Sequence, residues 1–249
     1  MDLAGKVALV TGGGTGLGRE ISLQLAGRGC DVAVNYSRSE DEAAQTVKEI
    51  EALGRRAIAV QADVSQSDQV GRMVERVVAE LGALQILINN AGTTVFVRMD
   101  DLEGLTEADW DRVLAVNTKG SWLVSKAAAP HMKRAGEGRI VMTTSISGLR
   151  AGGSSMAYAV SKAGIQMLSR CLALALAPEI TVNTVAPGIM DTRWGLRWGQ
   201  EALDRMAREA PLKRYPSLHD IAAAAVFLCQ SDSMTGQTIV VDAGRHMPL

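Results

Sequence analysis

Seven short apolar runs recur along the chain, separated by segments with helical periodicity. Each run has the length of a buried strand, and together they cover residues 7–10, 32–35, 57–60, 86–88, 139–142, 181–185 and 238–241. Strands that alternate with helices from end to end predict a parallel sheet with right-handed crossovers and helices on both faces. The predicted fold class is therefore α/β: one doubly wound, Rossmann-type domain over residues 1–249, with about seven parallel strands.

Two helical segments show clear signals at their ends. Ser39 and Glu42 match a capping box at the start of one helix, and Gly54 is its predicted end. Gly82 is the predicted end of the next helix, whose apolar side chains form one stripe at Val70, Met73, Val74, Val77, Val78 and Leu81.

Charge and composition exclude several classes of function. The 249 residues include 26 basic and 27 acidic ones, for a net charge of −1, and the basic residues are scattered, which disfavours nucleic acid as a partner. The three cysteines and three histidines lack metal-ligand spacing, so we predict reduced thiols and no metal. No leader sequence and no run of roughly 18 apolar residues stands out, which predicts a soluble cytoplasmic protein with no membrane partner.

A glycine-rich loop, Thr11 to Gly18, follows the first strand and precedes a helical pattern. Glycines allow the backbone to approach a phosphate, and the N–H groups at a helix start attract negative charge. The loop could be only a tight turn, but its strand-loop-helix setting favours dinucleotide binding. It is not a Walker loop, because no Gly-Lys-Ser/Thr follows.

The end of the second strand bears on the choice of cofactor. An NAD site usually has an acidic residue there to bind the ribose 2′-OH, but this chain has Ser37 and Arg38. Ser37 can donate to a 2′-phosphate and Arg38 can pair with it, so NADP(H) is favoured while NAD(H) stays possible. Alternatively, Arg38 is an ordinary solvated charge.

Tyr158 and Lys162 lie four residues apart, on one face of a predicted helix. A free tyrosine titrates near 10, and an adjacent ammonium together with an oxidised nicotinamide would lower its pKa towards that of a useful base. Taken alone, this pair is more often a solvated lysine beside a half-buried tyrosine.

Further motifs follow the other strands in order: Asn89-Asn90-Ala91-Gly92 after the fourth, Ser145 after the fifth and thirteen positions before Tyr158, and Pro187-Gly188 after the sixth. With the glycine loop, this combination resembles the short-chain dehydrogenase/reductase family over essentially the whole chain. The resemblance is greatest to the compact subgroup that includes beta-ketoacyl-carrier-protein reductases and bacterial carbonyl reductases. It implies an oxidoreductase that transfers a hydride between NADPH and a small-molecule carbonyl or secondary alcohol.

The resemblance also implies catalytic roles. Tyr158 would exchange a proton with the substrate oxygen, Lys162 would lower the pKa of that tyrosine and hold the nicotinamide ribose, and Ser145 would hydrogen-bond the same oxygen. Asn117 would anchor a water that links Lys162 to solvent. The alternatives are that Ser145 only caps a strand end and that Asn117 faces water in mid-helix.

The cofactor-binding residues implied by the resemblance come from several loops at the predicted carboxyl edge of the sheet. Asp63 and Val64 would meet the adenine, although Asp63 could simply start a loop. Thr15 departs from the basic residue common in members that prefer NADP. With Ser37, Arg38, Tyr158 and Lys162, the full set is Gly12, Thr15, Gly16, Leu17, Gly18, Asp63, Val64, Asn90, Ala91, Gly92, Pro187, Gly188, Ile189 and Thr192.

Residues 189–215 are predicted to form a lid over the substrate. We expect Trp194 and Trp198 to wall an apolar pocket, with Phe96, Ser154 and Met156 as further candidates; equally, the tryptophans could fill an oligomer contact. The resemblance implies a homotetramer formed through helices over residues 106–133 and 158–177.

Two other functions remain open at this stage. One is an NAD-linked alcohol dehydrogenase that works mainly in oxidation, and the other is a catalytically silent nucleotide-binding subunit. The identity of the substrate and the physiological direction do not follow from the sequence.

Overall fold

A computed structural model of the chain describes residues 1–247 and places seven strands in one sheet, in the order β3-β2-β1-β4-β5-β6-β7. All neighbouring strands run parallel. The strands are β1 (Val7–Val10), β2 (Asp31–Tyr36), β3 (Ala57–Gln61), β4 (Ile86–Asn89), β5 (Gly138–Thr143), β6 (Ile180–Pro187) and β7 (Thr238–Val241). Every predicted strand is present, which confirms the doubly wound α/β fold.

Eight α-helices cover the two faces of the sheet within the described residues. They are α1 (Gly16–Gly27), α2 (Glu40–Ala52), α3 (Ser67–Leu81), α4 (Glu107–Leu114), α5 (Gly120–Arg134), α6 (Met156–Leu176), α7 (Gln200–Glu209) and α8 (Leu218–Gln230). Buried side chains of α3, α5 and α6 form one core with the sheet, and those of α1, α2 and α8 form the other.

The order of the strands reverses beside β1, which pairs with β2 on one side and with β4 on the other. The loops after β1 and β4 therefore leave the same edge of the sheet side by side. In open α/β sheets, ligands bind at such a switch point. The fold thus brings the glycine loop next to the segment Asn90–Gly92.

The helix-end predictions had different outcomes. Gly82 ends α3 in the left-handed conformation, at φ 89°, as predicted. The capping box before α2 is wrong, because the Ser39 side chain makes no capping hydrogen bond. Glu42 instead pairs with Arg193 at 2.9 Å.

The predicted single helix over residues 106–133 is interrupted. Between α4 and α5, Ala115–Lys119 form a π-helical turn, a wider turn that holds one residue more than an α-helical turn. Asn117 lies in it and is fully buried.

Within the described chain, α6 alone is long and apolar enough to cross a membrane by length and composition, a match that the sequence analysis did not anticipate. Core helices share these properties, and α6 packs against the sheet with Ile165 and Ala173. Its opposite side exposes Val160, Met167 and Leu174.

Candidate active site

The glycine loop turns so tightly that side chains would obstruct it. Gly12 and Gly16 have positive φ values, 62° and 51°, which L-residues with a side chain rarely adopt. A Cβ on Gly18 would lie 2.1 Å from the carbonyl oxygen of Gly12, so α1 can begin this close to β1 only with glycine there. At Gly12 and Gly16 the loop thus presents backbone to the cleft beside it.

Two neighbouring strands hold the glycine loop. The side-chain oxygen of Asn35, on β2, accepts a hydrogen bond from the Gly12 N–H at 3.3 Å. The Asn90 amide, after β4, donates to the carbonyl oxygens of Thr11 and Gly12, and the Thr11 hydroxyl accepts from the Asn90 N–H at 2.9 Å. The sequence analysis did not assign roles to Asn35 or Thr11. Their signal is positional, since each is a polar residue at the carboxyl end of a buried strand.

A cleft of about 510 Å³ runs along the carboxyl edge of the sheet. We call it the cofactor cleft. Of the predicted cofactor-binding residues, Gly18 packs beneath the loop and Ile189 lies on the neighbouring pocket. Those that line the cleft are Gly12, Thr15, Gly16, Leu17, Arg38, Asn90, Ala91, Gly92, Tyr158, Lys162, Pro187, Gly188 and Thr192.

Ser37, Asp63 and Val64 are not brought to this cleft. Ser37 and Asp63 line a separate polar cavity together with residues of α3. The Asp63 carboxylate accepts hydrogen bonds from the backbone and hydroxyl of Ser65, as expected of a residue that starts a loop. Val64 is buried in the core, where it packs against Gly120. Arg38 is thus the predicted 2′-phosphate ligand that lies on the cofactor cleft.

Lys162 is a buried cation. Its side chain enters from α6, and its Nζ donates to the carbonyl oxygen of Thr143 at 2.8 Å. Burial lowers the pKa of Lys162 to about 8. The nitrogen lies 5.6 Å from the centre of the Tyr158 ring.

Burial also dominates the titration of Tyr158, whose pKa it raises to about 12, while a hydrogen bond with Ser145 acts in the opposite direction. The lowered pKa expected from Lys162 together with an oxidised nicotinamide stays a prediction. In the chain without cofactor, burial favours the protonated phenol at neutral pH.

Ser145 caps the short 3₁₀ helix Ile146–Gly148, where its oxygen accepts a hydrogen bond from the Ser147 N–H at 3.1 Å. Because this bond uses the oxygen as an acceptor, the hydroxyl proton remains available for donation. The capping role considered from the sequence is present, and it orients the hydroxyl.

Asn117 ties three segments together from its π-helical turn. Its side-chain oxygen accepts from the Thr93 N–H at 2.7 Å, and its amide donates to the Thr93 carbonyl and to the Ser161 hydroxyl. Ser161 in turn donates to the carbonyl of Tyr158. The side chain therefore does not face water, and it links the loop after β4 to the helix that carries Tyr158 and Lys162.

A second cavity, of about 180 Å³, adjoins the cofactor cleft. We call it the substrate pocket. The ring of Trp194 meets that of Tyr158 edge-on at 6.1 Å, and Trp198 meets Phe96 in the same way at 5.3 Å. Phe96, Ser154, Trp194 and Trp198 line this pocket, but Met156 does not; it lines a separate cavity beneath the loop that follows β4.

The two cavities share one wall. Ser145, Tyr158, Gly188, Met190, Thr192 and Trp194 line both of them. Two groups able to donate a proton, the Tyr158 phenol and the Ser145 hydroxyl, thus stand where a molecule in the pocket would meet one in the cleft.

Comparison with known proteins identifies the family. A family model described as short chain dehydrogenase matches residues 6–202. The chain belongs to the short-chain dehydrogenase family. Its members are oxidoreductases, and this resemblance was the one predicted from the motifs.

Relatives within the family are similar over nearly their full length. A 3-oxoacyl-(acyl-carrier-protein) reductase, FabG, of Staphylococcus epidermidis is 39% identical over 97% of this chain and 99% of that protein. A protein of Streptomyces violaceoruber named granaticin polyketide synthase putative ketoacyl reductase 2 is 36% identical over 97% of this chain and 96% of that protein.

Solved short-chain dehydrogenases superpose closely. One from Burkholderia cenocepacia, in complex with NADP, has a TM-score of 0.89 and 40% identity, with 98% of this chain and 99% of that chain covered. A 7 alpha-hydroxysteroid dehydrogenase complexed with NADH and 7-oxo glycochenodeoxycholic acid has a TM-score of 0.91 and 32% identity, with 97% and 94% covered.

Proposed function

We propose that the chain is an NADP(H)-dependent carbonyl reductase that works in reverse as an alcohol dehydrogenase. The observation that carries this proposal is the shared wall, where Tyr158 and Ser145 separate a glycine-lined cleft from an apolar pocket. Hydride transfer requires cofactor and substrate to meet, and the proton donor has to stand at their meeting point.

The side chains divide the proton chemistry between them. The raised pKa keeps Tyr158 protonated at neutral pH, which is the form that gives its proton to a carbonyl oxygen during reduction. Ser145 donates a second hydrogen bond to that oxygen. Lys162, with a pKa of about 8, is mostly an ammonium at pH 7 and stabilises the phenolate that remains. A bound nicotinamide cofactor supplies the hydride in reduction and accepts it in oxidation.

Arg38 supports the choice of NADP(H), because it is a cation on the cofactor cleft and can pair with a 2′-phosphate. The NADP complex of the Burkholderia cenocepacia relative agrees with it. NAD(H) remains the alternative, since Thr15 is uncharged and the hydroxysteroid dehydrogenase was solved with NADH. Replacing Arg38 by alanine should raise KM for NADPH at least roughly tenfold and leave KM for NADH unchanged.

The segment 189–215 supports the proposal of a lid. It contains α7 and contributes Met190, Trp194, Trp198 and Met206 to the substrate pocket. We further propose a cytoplasmic homotetramer that buries the apolar side of α6, where Met167 is 57% and Leu174 is 86% exposed.

The test separates an enzyme from a silent nucleotide-binding subunit. The protein is incubated with NADPH and each ketone of a broad panel, and NADPH consumption is followed by absorbance. Tyr158→Phe should lower kcat at least roughly a hundredfold while NADPH still binds, because proton transfer contributes about that much. Near-normal turnover by this variant would refute the mechanism, and silence of the wild type across a broad panel would favour the binding subunit.

A further inference from the structure

The wall of the substrate pocket carries two arginines and no carboxylate. Arg150 lies just beyond the 3₁₀ helix that Ser145 caps, and Arg245 lies just beyond β7. Among the described residues, no aspartate or glutamate lines this pocket. The aromatic rings described above form much of the remaining wall. The pocket therefore combines an apolar interior with positive charge.

Arg245 is held in place by the lid. Its Nη1 donates to the carbonyl oxygen of Met206 at 2.8 Å, and its side chain is only 19% exposed. The nearest carboxylate, that of Glu209, lies 3.8 Å away and is 59% exposed, so solvent screens its charge. A mostly buried guanidinium with donors to spare is best compensated by a second anion, which the pocket has room to hold.

Arg150 is available to the same anion. It is exposed at the pocket, and its guanidinium makes no hydrogen bond or ion pair with any residue in the range 1–247. A third cation, Arg197, is outside the pocket lining and stacks over the Phe96 ring at 4.5 Å. Two positive charges from two separate segments thus line one small cavity.

We propose that the preferred substrates are carbonyl compounds with an apolar, ring-bearing body and an anionic group. This proposal rests on the reductase function proposed above. The carbonyl oxygen would lie at Ser145 and Tyr158, the body against the aromatic wall, and the anion at Arg150 and Arg245. Arginine pairs in a bidentate manner with carboxylate and with phosphate, so the anion can be a carboxylate of the substrate itself or a phosphate on a carrier arm.

Matched substrate pairs test the proposal and distinguish these two sources. One pair is 4-benzoylbutyric acid and its methyl ester, and the other is a 3-oxoacyl thioester of phosphopantetheine and of pantetheine. We expect kcat/KM to be at least roughly tenfold higher for the anionic member of one pair, through a lower KM. Arg150→Met and Arg245→Gln should abolish that preference, so that kcat/KM becomes equal for the anionic and the neutral member of the pair. Arg205→Met, which removes an exposed charge from the same lid outside the pocket lining, should preserve it.

Binding is measured separately from turnover. Intrinsic tryptophan fluorescence is titrated with two non-reactive probes, 5-phenylpentanoic acid and its amide, in the wild type and the same variants. If the acid binds more tightly than the amide, and both arginine variants lose this difference, the proposal is supported. It is supported even if no ketone is reduced, in which case only the reductase function fails. Equal treatment of anionic and neutral members in both assays would overturn the proposal while leaving the reductase function intact.

Discussion

Replacing Lys162 by methionine should stabilise the protein at neutral pH while removing its activity. Burial lowers the pKa of Lys162 from its ordinary 10.5 to about 8, so the folded chain holds this proton less firmly than the unfolded chain does. Each pKa unit corresponds to about 1.4 kcal/mol, so the buried ammonium costs about 3 kcal/mol of folding free energy at pH 7. Loss of its hydrogen bond to Thr143 offsets about 1 kcal/mol of the gain.

The pH dependence of stability separates the effect of the Lys162 charge from the effect of its lost hydrogen bond. Between pH 8 and 10.5 the unfolded chain binds more protons than the folded chain, so wild-type stability rises with pH through this window. The cost of the ammonium falls below about 1 kcal/mol at pH 10. Between pH 7 and 10, the free energy of unfolding of the wild type should therefore rise by about 2.5 kcal/mol relative to that of Lys162→Met.

The assay is urea unfolding without cofactor, followed by tryptophan fluorescence at one protein concentration. Lys48→Met, which removes an exposed lysine from α2, is the matched control and should keep a constant offset from the wild type. Parallel pH profiles for wild type and Lys162→Met would refute the reasoning, because they would mean that the lysine is not desolvated.

Three further outcomes are expected. Gly18→Ala should abolish NADPH binding in a fluorescence titration, because the new Cβ would meet the Gly12 carbonyl at 2.1 Å, and unchanged binding would contradict this close approach. Gly71→Ala is the control: its Cβ would meet open space, and it should add about 0.5–1 kcal/mol of stability. Alcohol oxidation should accelerate from about pH 7 to 10, because the raised pKa of Tyr158 keeps its basic form scarce at neutral pH, and a flat rate profile would contradict this. Leu174→Arg should lower the mass of the proposed homotetramer in light scattering, and an unchanged mass would exclude that face of α6.

The sequence predicted the fold because the information is local. An apolar run in the sequence predicts a strand, and the runs at 7–10 and 238–241 match β1 and β7 at both ends. Side-chain partners are less local. Glu42 matched a capping box three residues after Ser39, but its carboxylate pairs with Arg193, 151 positions away.

The site was predictable where motif order places residues and not where packing does. Tyr158, Lys162 and Ser145 came from spacing, and the structure brings them to the cofactor cleft. The direction of the Tyr158 pKa shift depends on burial, which spacing does not report. Arg150 and Arg245 are far apart in the chain and share no motif, so only the folded pocket shows them together.

The π-helical turn at Ala115–Lys119 makes two helices out of what would otherwise be one straight rod. One extra residue in an α-helix would rotate everything beyond it by about 100° around the helix axis, and the wider turn absorbs that residue. Val113 on α4 and Val124 on α5 are both buried. Deleting a single residue here would turn the π-helical turn into an α-helical one, so the two stripes would keep their relative orientation, but Asn117 would lose the position from which it bonds Thr93 and Ser161. The number of residues in this turn therefore sets the place of Asn117, and no substitution can restore it after a deletion.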